Sequence, residues 1–365
     1  VLALVLSPNY AADHTLFAGT YGGVFKSTDG GASWNTMNNG LTDLDVPALA
    51  LSPGYVGDHT FFAGTWYVGV FKSIDGGASW TVVNIGITGG LYVGALGISP
   101  GYAGDHTLFA GTWGGGVFQS TDGGDSWSAV NTGLTNLDVY ALALSPGYAG
   151  DHTLFAGTWG GGVFQSTDGG DSWSAVNTGF TNLSVLALVL SPNYAADHTL
   201  FAGTYGGVFK STDGGAFWSA VNTGLTELRI STLALSPGYA TDHTLFAGTY
   251  DGGVFKSTDG GASWSATGLT NLYVWALALS PGYASDGTLF AGTLGGGVFK
   301  STDGGTSWSA MNAGLVMLDI RSLALTPTSP PTLFAGTYNR SVWQYTLVPL
   351  TPRLWLPLVL KGYRP

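Results

Sequence analysis

Seven near-copies of one ten-residue box, a repeat length of 44 to 47 residues and four short strand signals per unit predict an all-β fold. The architecture they point to is a β-propeller of four-stranded antiparallel blades. The box reads FKSTDGGASW at 25–34 and returns as FKSIDGGASW, FQSTDGGDSW (twice), FKSTDGGAFW, FKSTDGGASW and FKSTDGGTSW. A catalytic motif is needed once, whereas a stretch used once per unit is a construction part. Residues 2–34 and 186–218 differ only at Ser33 against Phe217, which points to duplication of pairs or larger groups of units.

Each unit carries its strands in a fixed order. "ALALS" ends at Ser-Pro, "TLFAGT" ends in a glycine run, "GVFKS" ends at the box, and "SWSAV" ends at "NTGLT". All four are β-branched or aromatic and bounded by Gly, Pro, Asn or Asp. The connections are too short and glycine-rich for crossover helices, so the strands run antiparallel, and no segment shows helical periodicity. The strands read as apolar runs rather than clean alternation, as expected of blades buried on both faces. The small residues of "FAGT" suit a strand crowded near the central axis. A superhelical stack of the same hairpins is the alternative, but closure into a ring hides the sheet edges.

The first three strands occur eight times, the last as "LALTP", "TLFAGTY" and "SVWQYTL" at 323–347. Eight blades is therefore the first expectation and seven the alternative, with 1–347 as the propeller. The eighth unit lacks a box and a fourth strand of the usual type. An apolar, proline-broken tail at 348–365 follows, a candidate donated strand that either completes the eighth blade or enters a neighbouring molecule. Its assembly candidates are Leu354, Trp355, Leu356, Leu358, Val359 and Leu360.

The box has a physical role. Asp29, Asp75, Asp122, Asp168, Asp213, Asp259 and Asp303 each sit in a turn where a carboxylate accepts backbone N–H bonds. The glycines after them supply positive φ. The closing tryptophans Trp34, Trp80, Trp127, Trp173, Trp218, Trp264 and Trp308 are placed to pack on the neighbouring blade. S-x-D-x-G-x-x-W resembles the Asp-box, or BNR repeat, of sialidases, sortilin-type receptors, xyloglucanases and photosystem II assembly factor propellers. All seven copies match, and the resemblance spans about residues 2–345. It implies a propeller in which the box is a structural turn, and it leaves function open.

Composition narrows the classes. The net charge of −11 is mostly turn chemistry: fourteen of 22 acids are the box aspartates and Asp13, Asp58, Asp105, Asp151, Asp197, Asp242 and Asp286 of the "SPxYxxD" segments. Six Lys and five Arg argue against nucleic-acid binding, which needs a basic face. No apolar run is long enough for a membrane span. No basic, apolar leader opens the chain at Val1, and zero cysteines remove disulfides and thiolate metal sites.

Catalytic and metal readings find little support. His14, His59, His106, His152, His198 and His243 occupy one repeated position, so a ring distributes them and they cannot converge on one ion. No metal and no cofactor is expected. Outside the repeated sets lie only Glu227, Asp43, Asp45, Asp125, Asp138, Asp171, Asp251 and Asp319. Sialidase chemistry uses an arginine cluster, whereas two of the five arginines here fall in the tail. A non-enzymatic chain is the expectation.

One aromatic per unit opens the 2–3 loop: Tyr21, Trp66, Trp113, Trp159, Tyr205, Tyr250 and Tyr338, with Leu294 in the seventh unit. These residues are a candidate binding rim for sugar rings or another protein; alternatively they cover the blade-to-blade seam. Asn182 and Asn339 stand in glycosylation sequons. The functional expectation is a secreted or cell-surface structural or adhesive module that self-assembles head to tail. A glycan-binding lectin, a protein-assembly factor and a glycoside hydrolase are the alternatives.

Overall fold

The computed structural model describes residues 1–315, 317–326, 328, 331–338 and 342–346. Tail residues 348–365, including Leu354–Leu360, and Asn339 lie outside the described residues. Eight antiparallel sheets follow one another along the chain, seven with four strands and the eighth with three among the described residues. Blade 1 comprises Ala3–Leu6, Leu16–Thr20, Gly23–Ser27 and Asn35–Thr36, each strand paired with the next. Blade 8 comprises Ile320–Leu325, Thr332–Thr337 and Val342–Thr346. The eight-blade expectation holds.

The strand nearest the axis is the first of each blade, not "FAGT". First strands neighbour first strands all the way round, blade 8 against blade 1 included. Their Leu, Ala and Val side chains are mostly half-exposed because they face the central channel, whereas Leu16–Thr20 and its equivalents are buried throughout. The glycine of "FAGT" serves a different contact. A Cβ on Gly157 would lie 2.8 Å from Val185 Cγ1, on Gly111 2.8 Å from Val139 Cγ1, and on Gly336 2.6 Å from Val1 Cγ1. The first residue of each blade therefore presses on the second strand of the blade before it, and Val1 on Gly336 closes the ring. Phe334 of blade 8 meets the ring of Tyr10 in blade 1 at 6.1 Å, edge to face.

Two further expectations change. Seven one-turn helices, Tyr10–Asp13 the first, stand between strands one and two. Four residues are too few to leave a periodic signal. The fourth strand shrinks to two residues, such as Ser128–Ala129, and excludes the box tryptophan. That tryptophan turns to the preceding blade instead: Trp127 N–H bonds Ile85 O at 2.7 Å, and its indole Nε1 donates to Val83 O at 2.7 Å.

This tie recurs. The indoles of Trp80, Trp173, Trp218 and Trp264 donate to Met37, Val130, Val176 and Val221 carbonyls at 2.6–2.7 Å. Trp308 reaches the Thr267 hydroxyl at 3.1 Å. Trp34 instead bonds its own Gly31 carbonyl, since blade 8 has no fourth strand among the described residues. Forward ties complement these: Lys26, Gln119, Lys210 and Lys256 donate to the box glycine carbonyls Gly76, Gly169, Gly260 and Gly304 at 2.8–3.0 Å.

Candidate functional site: an aromatic belt at the channel mouth

The two repeated aspartate sets share one face and are spent on turns. Each box aspartate Oδ1 accepts the amide four residues on, at 2.9–3.0 Å, and the hydroxyl of the serine two before, at 2.7–2.9 Å. That serine is buried and also accepts the second box glycine amide, for example Gly170 N–H at 2.8 Å. The Ser172 hydroxyl, the Ser172 amide and the Ser166 hydroxyl hold the Asp168 carboxyl down at about 2. Asp168 and Ser172 are exposed, and the buried member of the turn is Ser166.

The other set is equally occupied. Asp151 accepts the Ser145 hydroxyl at 2.5 Å and the Thr153 amide at 2.8 Å, fastening strand one to strand two. The histidine that follows adopts a left-handed backbone, φ 47° to 52° in six copies, and the seventh copy places Gly287 there at φ 59°. That position demands tolerance of positive φ. Among the described residues no three His, Asp or Glu gather to hold a metal ion.

The opposite face carries the residues that differ between repeats. Here the 2–3 loops meet the start of the first strands through backbone bonds, such as Trp159 N–H to Asp138 O at 3.0 Å and Tyr338 N–H to Asp319 O at 2.9 Å. All seven rim aromatics are brought together, and four others join them. Tyr338, Tyr21 and Trp66 touch at centroid distances of 5.5 Å. Trp66, Tyr92, Trp113, Tyr140 and Trp159 follow as a continuous stack at 4.1–5.3 Å with interplanar angles of 19–29°. Trp159 meets Tyr205 edge-on at 5.3 Å, and Tyr205 meets Tyr250 at 5.6 Å with their hydroxyls 3.2 Å apart. Tyr250, Tyr273 and Trp275 stack at 4.2 Å each. Arg321 then closes the circle, its guanidinium 4.1 Å from the Trp275 ring and 5.1 Å from the Tyr338 ring.

The four additional rings come from the start of the first strands. In blades 4, 7 and 8 the register against the second strand slips by one, leaving Tyr140, Trp275 and Arg321 as the extra residue of a β-bulge. A bulge re-aims the side chain it frees. Sequence reasoning missed Tyr92, Tyr140, Tyr273, Trp275 and Arg321. For Tyr140, Trp275 and Arg321 a signal was present: the position after the buried Val or Ile reads Leu2, Pro47, Gly94, Tyr140, Leu186, Ser231, Trp275 and Arg321 in otherwise near-identical surroundings. Leu294, the seventh rim position, is exposed and is bypassed by Tyr273 and Trp275.

Burial first, then the neighbouring tyrosine Tyr140, raises the Tyr92 hydroxyl to about 12. Burial and the Tyr250 hydrogen bond raise Tyr205 to about 12, and Tyr273 is raised as well. Tyr92, Tyr205 and Tyr273 therefore stay uncharged across the physiological range. Trp113 and Trp159 are 37% and 40% exposed, as a binding rim requires. Both faces of Trp113 are covered by Tyr92 and Tyr140, so its exposure falls on the ring edge.

The acids of this face have partners of their own. Arg229 lies 5.6 Å over the Tyr250 ring and pairs with Glu227 at 3.0 Å and with Asp251. Arg229 holds the Glu227 carboxyl below its ordinary range, the reverse of what a general acid needs. Asp43 accepts the Tyr67 amide at 2.7 Å, Asp319 accepts the Gly295 amide at 2.8 Å, and Asn182 accepts the Ser184 amide at 3.0 Å.

No family model matches the chain, and no curated protein matches it. Many solved structures share its fold. Sqt1 of Saccharomyces cerevisiae aligns at a TM-score of 0.69 with 12% identity, over 95% of this chain and 96% of that one. An ancestral GH74 enzyme aligns at 0.54 with 20% identity, over 95% of this chain, which spans 60% of that enzyme's length. YCF48 bound to D1 peptide aligns at 0.56 with 15% identity, over 81% of this chain and 91% of that one. At these identities the likeness concerns the fold. No helix among the described residues is long and apolar enough to cross a membrane.

Proposed function

We propose that the chain is a non-enzymatic propeller of the Asp-box kind, a secreted or surface-displayed docking module whose aromatic mouth receives a segment of a protein partner. One observation carries the reading: eleven aromatic rings and one guanidinium close a belt around the mouth, seven of the rings from one repeated loop position and the other five members from positions that vary between units. Trp, Tyr and Arg are the residue types on which interfaces concentrate their binding energy. Rings locked against each other lose little side-chain entropy on binding. Below them the half-exposed Leu, Ala and Val of the first strands offer an apolar channel. YCF48, a protein of similar fold, has been captured with a peptide.

The glycan reading fits less well, because sugars stack on open ring faces and Trp113 has none free. An array of immobilised random 12-residue peptides tests the docking reading. Wild-type protein is expected to bind a subset, and the Trp113→Ala, Tyr140→Ala double variant to lose at least tenfold in signal per folded molecule while keeping the wild-type circular dichroism spectrum. Equal binding by the two proteins overturns it.

A second reading, self-assembly, has its own observation. Among the described residues, strand Val342–Thr346 is the outer strand of blade 8, and Trp34 bonds its own Gly31 carbonyl, with no carbonyl of the preceding blade taking its indole. The proposed source of a fourth strand is the apolar tail, from the same or a neighbouring chain. Light scattering of the intact chain at micromolar concentration distinguishes these: fibres or closed oligomers support donation to a neighbour, and a monodisperse monomer removes it.

A further inference from the structure

The belt is not uniform: its polar vacancies cluster on one arc. Trp275 Nε1, Arg321 Nε and Trp66 Nε1 are buried donors with no acceptor among the described residues, and all three lie on the run Trp275, Arg321, Tyr338, Tyr21, Trp66. Donors buried without a partner are uncommon and ask for an acceptor. Arg321 also differs from five of the other six placed side-chain cations, Lys300 being the sixth. Lys72 and Arg229 form ion pairs, and Lys26, Lys210 and Lys256 donate to box carbonyls. Arg321 has no carboxylate within ion-pair distance among the described residues, and two aromatic rings fix its plane. A stacked guanidinium is weakly hydrated and its remaining N–H groups are pre-organised for a carboxylate.

We propose that this arc is a carboxylate-reading subsite, and that its ligand is an acidic side chain, Asp or Glu, flanked by apolar residues in the docked segment of a protein partner. The carboxylate takes Arg321, and Trp275 Nε1 donates to the same or an adjoining acceptor. Apolar neighbours in the segment rest on the ring edges and the Leu- and Ala-lined channel below. Aromatic edges carry the positive end of the ring quadrupole, so the stacked belt favours carbonyl and carboxylate oxygens over sugar faces. The inference rests on the docking reading above and adds the charge selectivity of one arc.

The same peptide array supplies the test, read for composition. Peptides bound by the wild type are expected to be enriched in Asp or Glu next to Leu, Val or Ile. Remade with Gln in place of Glu, the best binders are expected to weaken at least tenfold in fluorescence titration of the belt tryptophans. Arg321→Gln is expected to bind Glu and Gln peptides alike, and Arg321→Lys to recover part of the preference. Equal affinity of the wild type for Glu and Gln peptides overturns the subsite but leaves the docking reading standing. Loss of all peptide binding in both the wild type and variants overturns both. Binding confined to uronate oligosaccharides, tested in parallel, overturns the peptide assignment. The Glu-to-Gln comparison on wild-type protein decides the matter even if an Arg321 variant fails to fold.

Discussion

The blade-to-blade contact at Gly157 is the most exacting test of how the ring is packed. Gly157 and Val185 are both buried, and the glycine backbone lies outside the left-handed region, so Gly157→Ala adds only a methyl group. That methyl would stand 2.8 Å from Val185 Cγ1 and 3.3 Å from its Cβ. Carbon atoms prefer ~3.5–4.0 Å, so the two blades must part by roughly 1 Å. Overpacking of this kind costs ~1–3 kcal/mol. Restricting the unfolded chain returns ~0.4–1 kcal/mol, leaving a net loss of about 1–2 kcal/mol. Val185→Ala alone should cost ~2 kcal/mol for two buried methyl groups and the cavity they leave. Combined, the new methyl enters the vacated space, so the double variant should lose at least ~1 kcal/mol less than the sum. Gly150→Ala is the control, since its added Cβ meets nothing within 4 Å and its stability should hold or rise slightly. Urea unfolding followed by tryptophan fluorescence and circular dichroism measures all four proteins. Strict additivity, or an undiminished Gly157→Ala, would refute the packing argument.

Phe217→Ser should restore the hydroxyl that six other boxes give their aspartate, pull the Asp213 carboxyl further down by NMR titration, and add up to ~1 kcal/mol. Little burial is lost, because Phe217 is 52% exposed. Trp173→Ala should cost ~3–5 kcal/mol by denaturant unfolding, through a buried ring and its bond to Val130 O. In acid, the box carboxyls near 2 lie below the ordinary aspartate value, so their stabilisation is present above about pH 4 and fades as pH falls toward 2. In alkali, burial raises Tyr55, Tyr102, Tyr148, Tyr194, Tyr239 and Tyr283 to about 12. The folded form therefore holds protons that the unfolded form gives up near pH 10, and stability should fall between pH ~10 and ~12. Absorbance of tyrosinate against pH should show these rings ionising together with unfolding.

What the repeat specifies was legible, and what departs from it was not. The seven boxes, the hairpin order and the eighth unit lead directly to eight blades, because each feature is local and recurs. The role of "FAGT" was misplaced because its glycine answers a residue some 28 positions later, Val185 for Gly157, a contact no local pattern carries. The shortened fourth strand has the same cause: Trp127 spends its backbone and indole on the preceding blade. Seven members of the belt were visible as one aromatic per loop. Tyr92, Tyr140, Tyr273 and Trp275 were not, because they sit in or beside first strands that otherwise read as structural, and a bulge is needed to bring Tyr140 and Trp275 to the mouth. Variation between near-identical repeats marks the bulge position, and that variation is where binding residues are free to arise.

Box residues on one face are proposed to build the ring and belt residues on the other to bind, and one paired measurement tests that division. Asp168→Ala and Tyr140→Ala are each measured for thermal unfolding and for peptide-array binding per folded molecule. Asp168→Ala should lower stability by ~0.5–1.5 kcal/mol, the worth of its exposed turn bonds, and leave binding unchanged. Tyr140→Ala should keep most of its stability and lose binding. An Asp168→Ala protein that melts like the wild type yet no longer binds would contradict the account.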